Sequence, residues 1–266
     1  MADLFKGIDV SHHQGIIDWQ KVKNSGVQFA LIRACFGWDN DEQIDKQFAA
    51  NVSGCESVGL PYGLWHYSYA TCVADARLEA AFFLRVIKGC KPLFPVHFDF
   101  EEAFQVGGSK KGITYEGYSP EKQLQIIEAF LKEVEAAGYY GGIYMSASPL
   151  QRLLRYAPDR ISRYDAWVAH VNAAKPSYSG AYGVWQHSWK GSIPGISGDV
   201  DLDYAYRDYP TIIRRAGLNG WKIPAVTPAQ TVPRADYEAL QARYDALEAK
   251  HTALLSGLEA LLHQHN

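Results

Sequence analysis

Short apolar and aromatic segments recur along this chain and alternate with longer segments in which apolar residues have helical spacing. Eight of the short segments have the length and the β-branched and aromatic content of strands. They read FKGIDVS, FALIRA, YGLWHYSY, FPVHFDFE, GGIYMS, DAWVAHV, GVWQHS and VDLDYAY. Helical spacing is found between the earlier strands, in residues 45–58, 74–87, 120–137 and 148–155. This alternation predicts an α/β fold in which the strands form a barrel.

The last three predicted strands are joined differently from the others. The segments between them are too short for a comfortable crossover helix, which two parallel neighbours would require. We therefore expect at least one of these strands to be antiparallel. The result would be a TIM-like barrel that is irregular at its closing edge.

The composition changes after Trp221, where KIPAVTPAQTVP carries three prolines among small residues. We predict a barrel over residues 1–221 and a Pro-rich extended linker over 222–233. Residues 234–266 then show apolar or aromatic residues at alternating spacings of three and four, the pattern of a coiled-coil helix. The repeating positions are Tyr237, Leu240, Tyr244, Leu247, His251, Leu254, Leu258 and Leu261. We predict self-association through this helix; the alternative is a helix folded back on the barrel.

The charge and the cysteine content argue against several classes of protein. A net charge of −3 gives no broad basic surface, so we expect neither nucleic acid nor an anionic membrane as a partner. The four cysteines have no metal-type spacing, and we predict no metal and no cofactor. The N-terminus has no basic region followed by an apolar run, and no segment is apolar enough to span a membrane. The sequence thus predicts neither a signal peptide nor an anchor.

Two carboxylates stand out in the segment VHFDFEEAF. Asp99 and Glu101 are two residues apart on a strand, so both point to one face while Phe98 and Phe100 point to the other. Two such close carboxyl groups cannot easily both ionise in a partly dry pocket, so the pKa of one should rise. A proton donor beside an ionised carboxylate is what glycosidic bond cleavage needs. The alternative is that these acids cap a helix or pair with a surface cation.

Further acids fall at the same predicted rim of the barrel. Asp9 closes the first strand and Asp201 opens the eighth, so both lie near Asp99 and Glu101 if the eighth strand is antiparallel. Asp199 and Asp203 point to the same face of the strand as Asp201 and could take its place among the site acids. Asp203 fits a structural role better.

Aromatic and amide side chains on the predicted strands are candidates for sugar contacts. Sugars stack on aromatic faces and hydrogen-bond to polar tips of this kind. The candidates are Tyr62, His66, Tyr67, Tyr69, Tyr144, Trp167, Trp185 and Gln186. Any one of them alone is more often a core residue, because barrels are rich in aromatic side chains, and it is their clustering at strand ends that favours sugar contacts.

The chain resembles family 25 of the glycoside hydrolases over roughly residues 5–216. The resemblance rests on GIDVSHHQGIIDW, FALIRACFG, GLPYGLWHYSYA, PVHFDFE, YGGIYMS, AWVAHV, GVWQHS and IPGISGDVDLDYA, with Asp45, Phe48 and Asn51 in the order D-x-x-F-x-x-N. It implies a (β/α)5β3 barrel and a lysozyme that hydrolyses the β-1,4 bond between N-acetylmuramic acid and N-acetylglucosamine in bacterial peptidoglycan.

The same resemblance implies roles for individual residues. Glu101 would be the general acid, Asp99 would assist the reacting centre, and Asp9 and Asp201 would shape and polarise the site. The substrate's own N-acetyl group would be the nucleophile, so no protein nucleophile is needed. Arg33 also falls in a family segment and joins the substrate-binding candidates.

Two segments depart from the family pattern. His97 and Phe98 stand where aliphatic residues are more usual, and the segment from Gln105 to Tyr118 could reshape one end of the groove. The tail does not resemble the wall-binding modules often attached to such enzymes. A lysozyme with an oligomerising tail and no signal peptide fits a phage endolysin, which stays in the host cytoplasm until a holin releases it to the wall. The alternative is a bacterial or prophage enzyme that is exported by another route.

Two other functions compete with this reading. Strand-end histidines and acids could hold zinc in a deacetylase or phosphoesterase. The residues concerned are Asp9, His12, His13, His66, His97 and Asp99. A glycan-binding barrel without catalysis is the third possibility, although all four acids are present.

Overall fold

The computed structural model of the chain describes residues 4–38, 40–101, 115, 117–223 and 234–263. Eight strands in this part of the chain close into one barrel in sequence order. They are β1 Phe5–Val10, β2 Phe29–Phe36, β3 Tyr62–Tyr67, β4 Val96–Asp99, β5 Gly141–Ser146, β6 Asp165–Ala169, β7 Val184–Gly191 and β8 Val200–Ala205. The predicted α/β barrel is confirmed.

Strand direction changes only at the closing edge. The pairs from β1 to β7 are parallel, whereas β8 is antiparallel to both β7 and β1. The register between β7 and β8 shifts after Gln186 and again after Ser188. The expectation of an antiparallel strand and an irregular closing edge is therefore confirmed, and the start of β8 lies at the same rim as the carboxyl ends of the parallel strands.

Helices cover the outside of the barrel. They are α1 Trp19–Asn24, α2 Phe48–Val58, α3 Val73–Val86, α4 Pro120–Ala136, α5 Ala147–Tyr156, α6 Pro158–Ile161 and α7 Tyr209–Ala216. Helices α2 to α5 lie in the four predicted helical segments. Helix α1 was not predicted; it is a short helix whose N-terminus is capped by Asp18, which accepts from the Lys21 N–H.

Strand alternation divides the apolar core into two layers. Residues such as Ile8, Leu64 and Phe98 point outward and pack under the helices, and the Phe98 ring stacks on Phe130 of α4 with centroids 4.1 Å apart. Residues such as Leu31 and Trp167 point inward and fill the barrel. Inward-pointing side chains at the carboxyl ends of the parallel strands therefore face the open rim of the barrel.

Residues 224–266 form a second unit, separate from residues 1–223. The tail contains one helix, α8 Arg234–His263, with exposed Tyr244, Leu247 and Leu254. Most of the predicted linker lies outside the described residues, and the coiled coil stays a prediction. No helix in the described ranges is long and apolar enough to cross a membrane.

Candidate active site

Four predicted acids meet around one tyrosine at the rim of the barrel. Asp9 pairs with Asp201 across β1 and β8, and Asp99 pairs with Tyr144 across β4 and β5. Burial raises the pKa of Tyr144, and the negative charges of Glu101, Asp99, Asp9 and Asp201 raise it further, in that order. The strand register therefore brings together the acids that the sequence placed on separate strands.

Asp99 and Glu101 differ in their surroundings although they are neighbours. Asp99 is only 4% exposed, and its Oδ1 is buried with no hydrogen-bond partner in the described part of the chain. Burial, reinforced by the charge of Glu101, raises the pKa of Asp99 well above its ordinary value, while Arg33 opposes this shift. Glu101 is partly exposed and lines an open pocket of about 450 Å³. One carboxyl group is thus held in a dry cavity and the other faces the groove.

The carboxamide of Gln186 links both sides of the closing edge. Its Nε2 donates to Asp9 Oδ2 at 2.9 Å and to Asp201 Oδ2 at 3.1 Å. Its Oε1 accepts from the Tyr144 hydroxyl at 2.8 Å and from the Trp189 indole at 3.0 Å. Since the amide nitrogen faces two carboxylates and the oxygen faces two donors, its orientation is fixed.

Asp203 is a fifth acid, one inward position further along β8. It accepts from Trp167 Nε1 at 2.8 Å, and its negative charge acts on Asp9. Burial raises the pKa of Asp203 to about 8, and burial together with the charges of Asp203 and Asp201 raises that of Asp9 well above its ordinary value. The pKa of Asp201, raised by burial and by Asp199, is about 6.

Arg33 supplies positive charge close to these acids. Its guanidinium binds Asp45 through Nε and Nη2, both at 2.8 Å, and contacts His12 Nδ1. It also lies 5.5 Å from the centre of the Trp65 ring. The buried ion pair fixes the guanidinium, and its charge acts on Asp99.

Tyr67 and Tyr69 line the neighbouring part of the rim. Tyr67 pairs with Asp99 in the sheet, and its pKa is raised by burial and then by the charges of Asp99 and Glu101. Its ring lies 5.7 Å from that of Tyr69, measured between centroids. Tyr67 therefore lies beside the acids, and the contact of Tyr67 and Tyr69 with substrate stays a prediction.

The structure corrects the predicted substrate contacts of Tyr62 and His66. Tyr62 lies at the amino end of β3, where its hydroxyl donates to Glu56 Oε1 at 2.8 Å. His66 is fully buried on the helix-facing side, with Nδ1 3.2 Å from Cys35 Sγ and Nε2 3.3 Å from Glu79 Oε2. Both residues have the opposite parity to Tyr67, so neither faces the acids.

Two predicted tryptophan contacts are corrected as well, and a third tryptophan was missed. Trp167 is 1% exposed and packs inside the barrel beneath the rim. Trp185 has the opposite parity to Gln186, and its indole donates to the His170 carbonyl at 2.9 Å. The exposed Trp189 lines the same pocket as Glu101 instead. Strict alternation from Gln186 would point Trp189 away from the rim, and the register shift after Gln186 changes this.

The residues proposed for a zinc site are dispersed. His66 faces the helices, His97 is buried inside the barrel, and His12 binds Asp45 and Arg33. No group of three potential metal ligands is found among the residues that the structure describes.

Comparisons with known proteins agree with this architecture. The family profile described as Glycosyl hydrolases family 25 matches residues 8–196. The chain is similar to the uncharacterized protein YegX of Escherichia coli O157:H7, with 31% identity over 209 residues, covering 74% of this chain and 68% of YegX. It is also similar to the solved structure of the bacterial lysozyme from Streptomyces coelicolor, with a TM-score of 0.66, 26% identity, and coverage of 81% of this chain and 96% of the lysozyme. The solved CTP1L endolysin matches with a TM-score of 0.61 and 25% identity, over 79% of this chain and 69% of that endolysin.

Proposed function

Because the chain belongs to family 25 of the glycosyl hydrolases, we propose that it cleaves the β-1,4 bond between N-acetylmuramic acid and N-acetylglucosamine. It is a hydrolase of the lysozyme type with peptidoglycan as its substrate. The observation that carries the proposed chemistry is the difference in exposure between the two acids: Glu101 lines the open pocket, whereas Asp99 is buried behind it.

Glu101 acts as the general acid. It is partly exposed at the end of β4 and lines the open pocket, so its carboxyl group is accessible to a glycosidic oxygen in the groove. Asp99 is buried and cannot reach a leaving group that lies outside the rim. The proton of Glu101 passes to the leaving oxygen as the C1–O bond breaks.

Asp99 assists the substrate's acetamido group. Its Oδ1 is a buried acceptor without a donor among the described residues, which suits the N–H of an N-acetyl group in the cavity. The acetamido oxygen attacks C1 while the leaving oxygen departs with the proton from Glu101. Water then attacks the cyclic intermediate, giving up a proton to Glu101 and opening the ring.

Asp9 and Asp201 shape and polarise the site through Gln186. Both accept from the same amide nitrogen, which holds them at the closing edge of the barrel. Their negative charge favours the positive charge that develops on the sugar ring in the transition state. Arg33 limits the total negative charge from the opposite side.

Digestion of purified peptidoglycan with and without EDTA tests this function, using the wild type, Glu101→Gln and the surface control Asp159→Asn. Borohydride reduction and mass spectrometry of the fragments should show reduced muramic acid ends for the wild type and the control. Glu101→Gln should be inactive and EDTA without effect. Absence of cleavage by the wild type, or its loss with EDTA alone, would overturn the proposal.

We also propose that the tail helix α8 associates with other copies of itself. Tyr244, Leu247 and Leu254 are 60%, 67% and 67% exposed, and they occupy seam positions of the predicted heptads. Isolated helices rarely keep such a row of large apolar side chains in water. Several barrels joined in this way would bind a polymeric substrate with higher avidity.

Light scattering of the full chain during size-exclusion chromatography tests the association. The wild type should have the mass of an oligomer and the double variant Leu247→Lys, Leu254→Lys that of a monomer. Ala246→Lys, on the opposite face of α8, should leave the mass unchanged. A monomeric wild type would contradict the proposal.

We further propose that the enzyme is a phage endolysin that stays in the host cytoplasm until a holin releases it. The likeness to the CTP1L endolysin supports this assignment. Cells that express the full chain should remain intact and hold the enzyme in the cytoplasmic fraction, and should lyse when chloroform permeabilises the inner membrane. Secretion of active enzyme without permeabilisation would argue for a bacterial enzyme instead.

A further inference from the structure

The pocket beside Glu101 has a second set of polar groups that the proposed hydrolysis does not use. Of the four acids, only Glu101 lines this pocket, which lies between the carboxyl ends of β4 and β5 and the first turns of α4 and α5. Its volume of about 450 Å³ exceeds what one carboxyl group needs and is large enough for part of a substituent on the glycan.

Positive charge is concentrated on one wall of this pocket. Helix α5 begins there, and the side chain of its N-cap residue Ser146 does not cap the helix. The partial positive charge of the helix N-terminus is therefore available to an anion. Arg152 lies on the same helix, is exposed, and makes no ion pair with any residue that the structure describes.

A buried acceptor lies on the opposite wall. The Nε2 of Gln123 donates to the carbonyl oxygens of Tyr115 and Tyr118 at 2.9 and 3.0 Å, which fixes the orientation of the amide. Its Oε1 is buried and has no donor within the described ranges of the chain. Because an unpaired buried acceptor is costly, this oxygen suits an N–H group of a ligand.

The rest of the lining is apolar and aromatic. Phe100 and Tyr115 stack with their centroids 3.8 Å apart, and Met145 completes the buried surface beside them. The exposed indole of Trp189 borders the pocket next to Glu101. Small methyl groups fit such an apolar surface.

We propose that this pocket binds the peptide that peptidoglycan carries on its muramic acid, with a carboxylate of the peptide on Arg152 and an amide N–H directed to Gln123. An amide donor, a small apolar side chain and a carboxylate occur together in this peptide. Naked glycan has the first two only in its acetamido groups, and its one carboxylate per disaccharide is the lactyl group of muramic acid, which lies close to the sugar ring. The inference rests on the proposed muramidase function and defines its preferred substrate as peptide-bearing glycan.

Kinetics on two matched substrates test the proposal. One is soluble un-cross-linked peptidoglycan with its peptides, and the other is the same glycan after the peptides have been removed by an amidase. Arg152→Ala should lower kcat/KM on the peptide-bearing glycan by about tenfold, mainly through KM, and leave the naked glycan unchanged. Arg152→Glu should lower it further, whereas the matched control Arg155→Ala, one turn along α5, should have no effect.

The outcomes separate the two proposals. Wild-type activity that is equal on both substrates, or an Arg152→Ala effect that is the same on both, would overturn the peptide site and leave the muramidase intact. Absence of cleavage of either substrate by the wild type would instead remove the function on which the inference rests.

Titration calorimetry with N-acetylmuramyl-L-alanyl-D-isoglutamine on Glu101→Gln, with and without Arg152→Ala, should show weaker binding when Arg152 is replaced. Equal affinities would again contradict the site.

Discussion

Gln186 Nε2 lies 2.9 Å from Asp9 Oδ2, although the two residues are 177 positions apart in the chain. The contact joins the first strand of the barrel to the seventh, and the same nitrogen also binds Asp201 on the eighth. An amide between two carboxylates reduces their repulsion and fixes their positions without adding charge. The closing edge of the barrel and the arrangement of the acids thus depend on one neutral side chain.

Gln186→Glu should therefore lower kcat on peptidoglycan by about a hundredfold, because it replaces the donor with a third carboxylate and displaces the acids. Steady-state kinetics on solubilised peptidoglycan measure this. Gln151→Glu is a matched control, since Gln151 Oε1 accepts from the Ser179 N–H and glutamate keeps that acceptor. A loss below about threefold for Gln186→Glu would show that the amide does not position the acids.

Asp203 should make the barrel less stable as the pH rises. Its pKa is raised from 3.8 to about 8 in the folded protein, so the folded state holds the proton more tightly than the unfolded state. The stability that this proton contributes is complete below the unfolded pKa and is lost as the pH rises through about 8. We expect the Tm of the wild type to fall between pH 6 and pH 9 by several degrees, at roughly 2–4 °C per kcal/mol.

Asp203→Asn removes this titration but keeps an acceptor for Trp167 Nε1 and gives Asp9 a donor. Its Tm should vary less with pH over the same range, as differential scanning calorimetry can show. The control Asp159→Asn removes an exposed carboxylate on α6 and should keep the wild-type dependence of Tm on pH. Parallel profiles for the wild type and Asp203→Asn would mean that Asp203 does not hold a proton near neutral pH.

The sequence predicted the barrel and the meeting of the acids for a simple physical reason. Asp9, Asp99 and Asp201 lie at strand ends, and the short connections indicate that at least one of the last three strands is antiparallel; the structure shows that it is the eighth. The effect of the Asp203 charge on Asp9 depends on the register of β8, which alternation alone does not define.

The errors among the aromatic residues have two different causes. His66 and Trp185 have the wrong parity relative to Tyr67 and Gln186, so strict alternation would have excluded them. Trp189 could not be found in this way, because the register shifts within β7 and changes which residues face the rim.

The two faces of β3 can be compared directly by removing one hydroxyl from each. Tyr67→Phe should lower kcat/KM by about tenfold, since Tyr67 lies beside Asp99 and Glu101. Tyr62→Phe should keep the wild-type kcat/KM and lose only stability, because its hydroxyl binds Glu56 away from the acids. Kinetics and urea unfolding of both variants check this pair. An equal loss of activity in both would place Tyr62 in the substrate groove after all.

Trp189 is the aromatic residue with the largest exposed surface at the site, and its position suits stacking against a sugar. It is 56% exposed, borders the pocket with Glu101, and is oriented by the hydrogen bond from its indole to Gln186 Oε1. Trp189→Ala should raise KM about tenfold with a smaller change in kcat, because a stacking surface binds substrate and transition state alike. Trp189→Phe should recover most of the affinity, since it restores the ring without the hydrogen bond. Tyr156→Ala removes a similarly exposed aromatic ring from the end of α5 and should leave KM unchanged. If Trp189→Ala lowered kcat alone, the indole would act through Gln186 on the acids and not by holding the sugar.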